Sequence, residues 1–366
     1  MPLSPRAWTP PFCPNAGCRF HADPRGWRCK RKGFYERHAA PRRIQRYVCQ
    51  TCRRSFSSQT FATTYWLRRP ELQAPIFQLL VACAGYRQIA RALGTSPTTV
   101  LRQTVRLGRH CLLFHARLRV LDAAPVEALV LDGFESFEFS QYTPIHVHAA
   151  VGAGSHFVYG VTDSELRRKG RMTEAQRRRR AALEARYGRP DPKALERDVT
   201  ALLALLLPPG SACELHTDEH PAYPRALRRL GDRRFDHRVT PGRALRTIRN
   251  PLFPVNLFDL LVRHSSANHK RETIAFSKRR QSALERIFVF LVWRNAMKSF
   301  SEKARDATPA QRLGLLPRRL RIGDVLAERL FPTRIPLPER WGAYYRREVE
   351  TRRIPNGQRF LRRYAA

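Results

Sequence analysis

Residues 213–223 read CELHTDEHPAY, and the fold turns on Asp218. A short apolar-to-polar run, strand-like in pattern, ends on an acid, and the next few dozen residues are crowded with arginine. An earlier stretch has the same form. In VEALVLDGFESFEFS, residues 126–140, the run is apolar up to Asp132. Between them, PIHVHAAVGAGSHFVYGVTD, residues 144–163, alternates about a Gly-rich turn at 152–154, as a hairpin does. Taken singly, a strand-end Asp is a turn or cap residue. Two of them at the ends of neighbouring strands can meet. Carboxylates within ~4 Å of each other are costly unless a cation lies between them. Mg²⁺ suits such hard oxygen ligands, and a pair of ions can act on a phosphodiester.

A third acid is expected from a helix in NPLFPVNLFDLLVRHSSANHKRETIAFSKRRQSALERIFVFLVWRNAMKSF, residues 250–300. Asp259, Glu272 and Glu285 are the candidates. Asp259 has Asn256 and Arg263 at i−3 and i+4, on one helical face. Arg263 could equally make Asp259 an ordinary helix ion pair. Glu272 follows Arg271, and Glu285 opens an apolar helix.

The 366 residues contain 68 Lys and Arg against 30 Asp and Glu, a formal net charge of +38. Self-repulsion on this scale opposes compaction, and a polyanion relieves it, so nucleic acid is the first expected partner. An acidic membrane surface is the second, but no run approaches the ~18 apolar residues that span a bilayer. MPLSPRAWTPPFC has no apolar core of a signal peptide. The expected compartment is therefore reducing, and the eight cysteines read as ligands and core residues rather than disulfides.

Four of them come in pairs. Cys13 and Cys18 lie in CPNAGC, and Cys49 and Cys52 in RYVCQTCRRSFS. Two such knuckles can close a tetrahedral four-thiolate Zn²⁺ site of zinc-ribbon type, the second set between strands. Cys29 is a bystander; Cys83, Cys111 and Cys213 read as small core residues.

Residues 71–115 are helical in pattern. In YRQIARALGTSPTTVLRQ, Ile89, Ala90 and Leu93 share a face and Gly94 breaks the helix. Ser96 is the expected N-cap and Pro97 the first helical residue. The second helix presents Thr98, Thr99, Arg102 and Gln103, as the recognition helix of a helix-turn-helix would; the alternative is a structural hairpin. The Arg-rich insertion at 163–207 reads as a helix pair flanking a sheet, either clamping a DNA backbone or simply solvated. The Pro-punctuated segment after Glu302 reads as a basic tail. Its Trp341, Tyr344 and Tyr345 either pack on the core or stack on DNA.

Taken in order, CPNAGC, YVCQTCRRSFS, YRQIARALGTSPTTVLRQ, LVLDGFESFEF, LHTDEHPAY, HKRETIAFSKRR and FVFLVWRN resemble the bacterial insertion-sequence DDE-type transposases with an N-terminal zinc ribbon, over residues 13 to 300. The resemblance implies an α/β multidomain chain. Its parts are a zinc ribbon at 1–62, a helix-turn-helix at 70–118, a ribonuclease H-like mixed sheet flanked by helices at 125–300, and a basic tail at 301–366. It implies metal-dependent strand cleavage and transfer, with structural Zn²⁺ and catalytic Mg²⁺ or Mn²⁺. Asp132 and Asp218 match the first two acids of the family and Asp259 the third, with Glu272 as alternative. The third acid is usually Glu, so Asp259 is a departure. The implied partners are double-stranded DNA, as element ends and target, and a second copy of the chain; the implied location is cytoplasmic, on the nucleoid. The competing reading is a transposase-derived DNA-binding protein or repressor without catalysis. A structural RNA-binding protein would explain the charge but not the strand-end aspartates.

Overall fold

A computed structural model describes residues 8–119, 125–352 and 354. Two sheets are joined by helices. The first sheet follows a one-turn helix, α1 (Arg19–Ala22), and contains β1 (Cys29–Glu36), β2 (Arg43–Cys49) and β3 (Ser55–Ser57), antiparallel in that order. The second knuckle lies between β2 and β3, as its flanking apolar residues predict. A helical segment follows: α2 (Gln73–Val81), α3 (Tyr86–Ala92) and α4 (Pro97–Leu118). Gly94 turns the chain between α3 and α4 at φ +57°. Ser96 caps α4, its Oγ accepting from the Thr99 N–H at 3.1 Å, with Pro97 in the first turn.

The second sheet has five strands: β4 (Leu129–Phe137), β5 (Pro144–Gly152), β6 (Val158–Glu165), β7 (Ala212–Thr217) and β8 (Arg234–Val239). Their spatial order is β6-β5-β4-β7-β8. The first three strands form an antiparallel meander, while β7 and β8 run parallel to β4. Between β6 and β7 lie α5 (Glu174–Tyr187) and α6 (Ala194–Leu206), and α7 (Ala222–Arg228) precedes β8. Then come α8 (Phe253–Ser265), α9 (Arg280–Ala296), α10 (Pro309–Arg312), α11 (Ile322–Val325) and α12 (Glu339–Arg346).

Strand alternation decides what covers each face. Asp132 and Phe134 point to one side, where Phe258 of α8 meets Phe134 with ring centroids 6.4 Å apart. Thr162 and Gly160 point to the other, where the Thr162 hydroxyl donates to the Asp198 carbonyl of α6 and Gly160 leaves room for Leu202, Leu206 and Trp341. α9 lies against α4, and its Asn295 side chain takes both backbone groups of Val158 on the edge strand β6, at 2.9 and 3.0 Å. The two insertion helices differ: α6 is amphipathic and covers the sheet, whereas α5 buries no residue.

Two segments are packed into the core. For the segment after Glu302, the structure adopts the first of the two alternatives, with its aromatics on the core. Trp341 and Tyr344 are fully buried, and Asp163 on β6 accepts from the Tyr344 hydroxyl at 2.5 Å and from Arg340 at 3.0 Å. Trp341 donates its indole N–H to the Val161 carbonyl. The same segment reaches the residues around the first cysteine pair. Phe331 packs edge-on against Phe12, and the Arg334 guanidinium donates to the His21 carbonyl. The other is α4. Its second half is buried, and Gly108 lets the α9 backbone at Glu285 approach so closely that a Cβ would lie 2.7 Å from the Glu285 carbonyl oxygen.

Candidate functional site

Register brings the first two acids together. Leu129 pairs with Leu215 and Val130 with His216 in the parallel β4–β7 ladder. Two residues beyond Val130 and His216 stand Asp132 on β4 and Asp218 just past the end of β7, close enough for the Asp218 charge to act on Asp132. β7 ends at Thr217, so Asp218 opens the following turn, where one of its oxygens accepts the His220 N–H at 2.9 Å. Its acidic neighbours are occupied elsewhere: Glu214 by His216 and Arg238, and Glu219 by the Gly242 N–H.

Asp259 comes from α8, the helix packed on the Asp132 face. Arg263 does not neutralise it by direct pairing. The Arg263 guanidinium donates instead to the carbonyls of His269 and Glu135. Oδ1 of Asp259 is fully enclosed and has no hydrogen-bond partner among the described residues. Burial, then the Asp132 charge, pushes the Asp259 carboxyl well above the usual carboxylate range, with Arg263 and Arg246 too weak to reverse it. Burial likewise raises Asp132, to about 6; the Asp218 charge adds to this, while the Gly133 N–H, Tyr223 and Arg246 oppose it.

Two residues of the site were not anticipated. Tyr223 on α7 donates to Oδ1 of Asp132 at 3.4 Å, and its phenol is pushed up by burial and then by Asp132, Asp218 and Asp259. It feels all three acids. Arg246, on the loop after β8, supplies positive charge to Asp132 and Asp259. That loop is exposed, with Leu245 and Ile248 almost wholly accessible between its arginines. Tyr223 closes the CELHTDEHPAY stretch, five residues past Asp218, and only the intervening turn into α7 turns it back. Glu272 is not brought here: it is exposed on the loop beyond α8. Glu285 is buried in α9 and pairs with Arg347 at 2.7 Å.

Two carboxylates raised by burial, Asp132 and Asp259, with Asp218 beside Asp132 and an orphaned, enclosed Asp259 oxygen, fit a hard divalent cation, which would convert their repulsion into attraction. Their oxygens do not all lie within 4.8 Å of one another; the described residues hold only one such group of three or more ligating side chains, the cysteines. A two-ion site is wide, its metals ~3.5–4 Å apart, and tolerates that spread.

The cysteine set is compact. The sulfurs of Cys13, Cys18, Cys49 and Cys52 lie within 4.8 Å of one another. The Cys13–Cys52 separation is 3.7 Å, against about 3.8 Å between ligands of a tetrahedral Zn²⁺ with Zn–S near 2.3 Å. Burial pushes the Cys13 thiol up, whereas Cys49, despite burial, is brought down to about 6 by N–H donors from Cys52, Trp27 and Thr51. The four fit a structural Zn²⁺. A second layer holds the knuckle: His21 donates Nδ1–H to the Cys13 carbonyl at 2.8 Å, leaving Nε2 to accept from the Thr333 hydroxyl at 2.7 Å.

Of the residues expected to face DNA, Thr98 and Arg102 are exposed and Thr99 is half-buried, its hydroxyl 3.0 Å from Ser96 Oγ. Gln103 is a correction. It is buried, and its amide donates to the Arg69 carbonyl at 3.2 Å, because the turn before α2 folds over that side of α4. No helix among the described residues is long and apolar enough to cross a membrane.

No family model matches the chain, and no curated protein matches it. Among solved structures, a cryo-EM structure of a simian T-cell lymphotropic virus intasome in complex with the PP2A regulatory subunit B56 gamma is similar at 13% identity, covering 68% of this chain and 75% of that chain, with a TM-score of 0.25.

Proposed function

We propose that this protein is a DNA transposase of the DDE type, which binds element ends and catalyses metal-dependent strand cleavage and strand transfer. The observation that carries the reading is the convergence of Asp132, Asp218 and Asp259 from β4, the end of β7 and α8, with Tyr223 facing all three. A mixed sheet of order 3-2-1-4-5, with the first acid on its central strand, is the arrangement expected of a ribonuclease H-like domain. In a chain of net charge +38, it reads as a phosphodiester site.

In this reading Asp132, Asp218 and Asp259 hold the catalytic ions. Bound there, two Mg²⁺ or Mn²⁺ ions supply an activated water or 3′-hydroxyl and stabilise the leaving oxygen. Tyr223 positions Asp132 by its donated hydrogen bond. Arg246 and its exposed loop face the phosphate strand. The four cysteines form a zinc ribbon, and α3 and α4 a helix-turn-helix whose exposed Thr98, Thr99 and Arg102 approach the duplex. Two copies bridge the two element ends.

The test uses purified protein with its own flanking DNA and Mg²⁺. Asp218→Asn and Asp259→Asn should abolish nicking on a denaturing gel while end binding persists or tightens, since negative charge near a phosphate is lost. Cutting by Asp218→Asn at the wild-type rate would overturn the proposal. The third acid is Asp where the resembled family has Glu, which favours one competing reading: a DNA-binding repressor. Wild-type protein that binds ends but never nicks in Mg²⁺ or Mn²⁺ would establish it.

A further inference from the structure

A groove of about 970 Å³ lies between the three-stranded sheet and the Tyr65–Arg68 segment that leads toward α2. None of the three aspartates lines it. Its walls hold two exposed aromatics, Tyr35 and Trp66, and the arginines Arg46, Arg54 and Arg68. Its one acid is Glu36. A fourth arginine, Arg37, is occupied within the fold, donating to Gln59 Oε1 at 2.9 Å and to the Pro41 carbonyl at 3.0 Å. The guanidinium groups of Arg46, Arg54 and Arg68 make no hydrogen bond or ion pair among the described residues.

Trp66 is the unusual member. It is 69% exposed, and its backbone is left-handed at φ +61°. That conformation is unfavourable for a residue with a bulky side chain, and exposing an indole is unfavourable as well. Both are tolerated where a side chain is held out for a ligand. Tyr65 meets the indole edge-on, with centroids 5.7 Å apart, which steadies the ring without covering it. Arginines with no internal partner suit phosphates. An exposed aromatic face suits a base, provided the base is out of its stack. A paired duplex offers no such face.

We infer that this groove binds an unpaired segment of a DNA strand, with a base stacked on Trp66 and phosphates held by Arg46, Arg54 and Arg68. DNA as the polymer rests on the transposase reading; the choice of an unpaired strand rests on the groove. The occupant would be the strand end exposed when the duplex is opened or cut. The site would then hold that end away from the aspartates.

The experiment measures binding of the full chain to a fluorescein-labelled oligothymidylate, the matching duplex and a single-stranded RNA of equal length. All arms carry Asp218→Asn, so no cleavage enters the readout and the result does not depend on whether the chain cuts. Trp66→Ala should weaken single-strand DNA binding about 5- to 100-fold, as loss of one stacked base does, and change duplex binding less than about twofold. Trp66→Phe should restore most of the loss. Replacing Arg46, Arg54 and Arg68 by Gln should weaken it further and flatten its salt dependence. Melting temperature and zinc content report whether each variant folds. Unchanged single-strand binding in Trp66→Ala, an equal loss on duplex, or a preference for the RNA strand would each overturn the inference.

Discussion

Asp132 is ionised at a cost in the metal-free fold. Its carboxyl is raised from 3.8 to about 6 by burial and by Asp218. Between about pH 4 and pH 6 the folded chain therefore binds more protons than the unfolded chain, so stability falls as pH rises through that window. Asp132→Asn removes this penalty. Without divalent ions at pH 8, the variant should be more stable than wild type by on the order of 2 kcal/mol in urea denaturation, with the gain vanishing near pH 4. Mg²⁺ should then raise the wild-type midpoint and leave the variant's nearly unmoved. A midpoint for Asp132→Asn at or below wild type at pH 8 would show that the carboxylate is comfortably solvated. Asp132 and Asp218 were legible in the sequence because an apolar run ending on an acid is a local pattern. Helical spacing left Asp259 one candidate among three, and the family resemblance preferred it. Tyr223 was not legible, since its role depends on a turn redirecting the chain after Asp218. Gln103 was misjudged for a related reason: the residue that covers it, Arg69, belongs to another element.

At the scale of elements, the contact between α4 and α9 separates intrinsic helix preference from packing. Replacing a helical glycine by alanine gains about 1 kcal/mol in isolation. At Gly108 the added Cβ would meet the Glu285 backbone at 2.7–2.8 Å, and backbone cannot swing aside as a side-chain tip can. Forcing the helices apart costs typically 1–3 kcal/mol and also disturbs the Glu285–Arg347 pair. Gly108→Ala should lower the melting temperature, against the sign that propensity gives; a rise would mean the helices can slide apart freely. The sequence marked the ends of α4 well, because Ser96 and Pro97 form a cap signal. It did not mark the change along the helix, whose first turn is exposed and whose second half forms core. The hairpin of β5 and β6 was also legible, from alternation about its glycine turn. The C-terminal segment was not. Its anchors, such as Tyr344 to Asp163 and Trp341 to Val161, join residues about 180 positions apart, and nothing local marks them.

Over the whole molecule, the charge of +38 acts in two opposing ways. In the free protein it is self-repulsion, which salt screens. In a complex it is attraction to phosphate, which salt weakens. Raising salt from about 50 to about 200 mM should therefore raise the melting temperature of the free protein. If six to ten phosphates are contacted, the same change should lower DNA affinity by about 10³- to 10⁵-fold. Parallel falls in both would place the charge elsewhere than on a DNA-facing surface.

The segment from Phe331 to Tyr345 touches Phe12 and His21, around the first cysteine pair, at one end and the five-stranded sheet at the other. A ribosome makes Phe12 long before Phe331. The cysteine-bearing sheet thus emerges before residue 331, yet its aromatic seat, where Phe12, Phe61 and Phe331 meet, cannot close until Phe331 has been translated. A chain cut short by a premature stop codon before residue 331 would carry all three aspartates and all four paired cysteines. It would lack the piece that joins them. The two halves are therefore aligned by a contact between residues far apart in the chain, and neither half holds that contact alone.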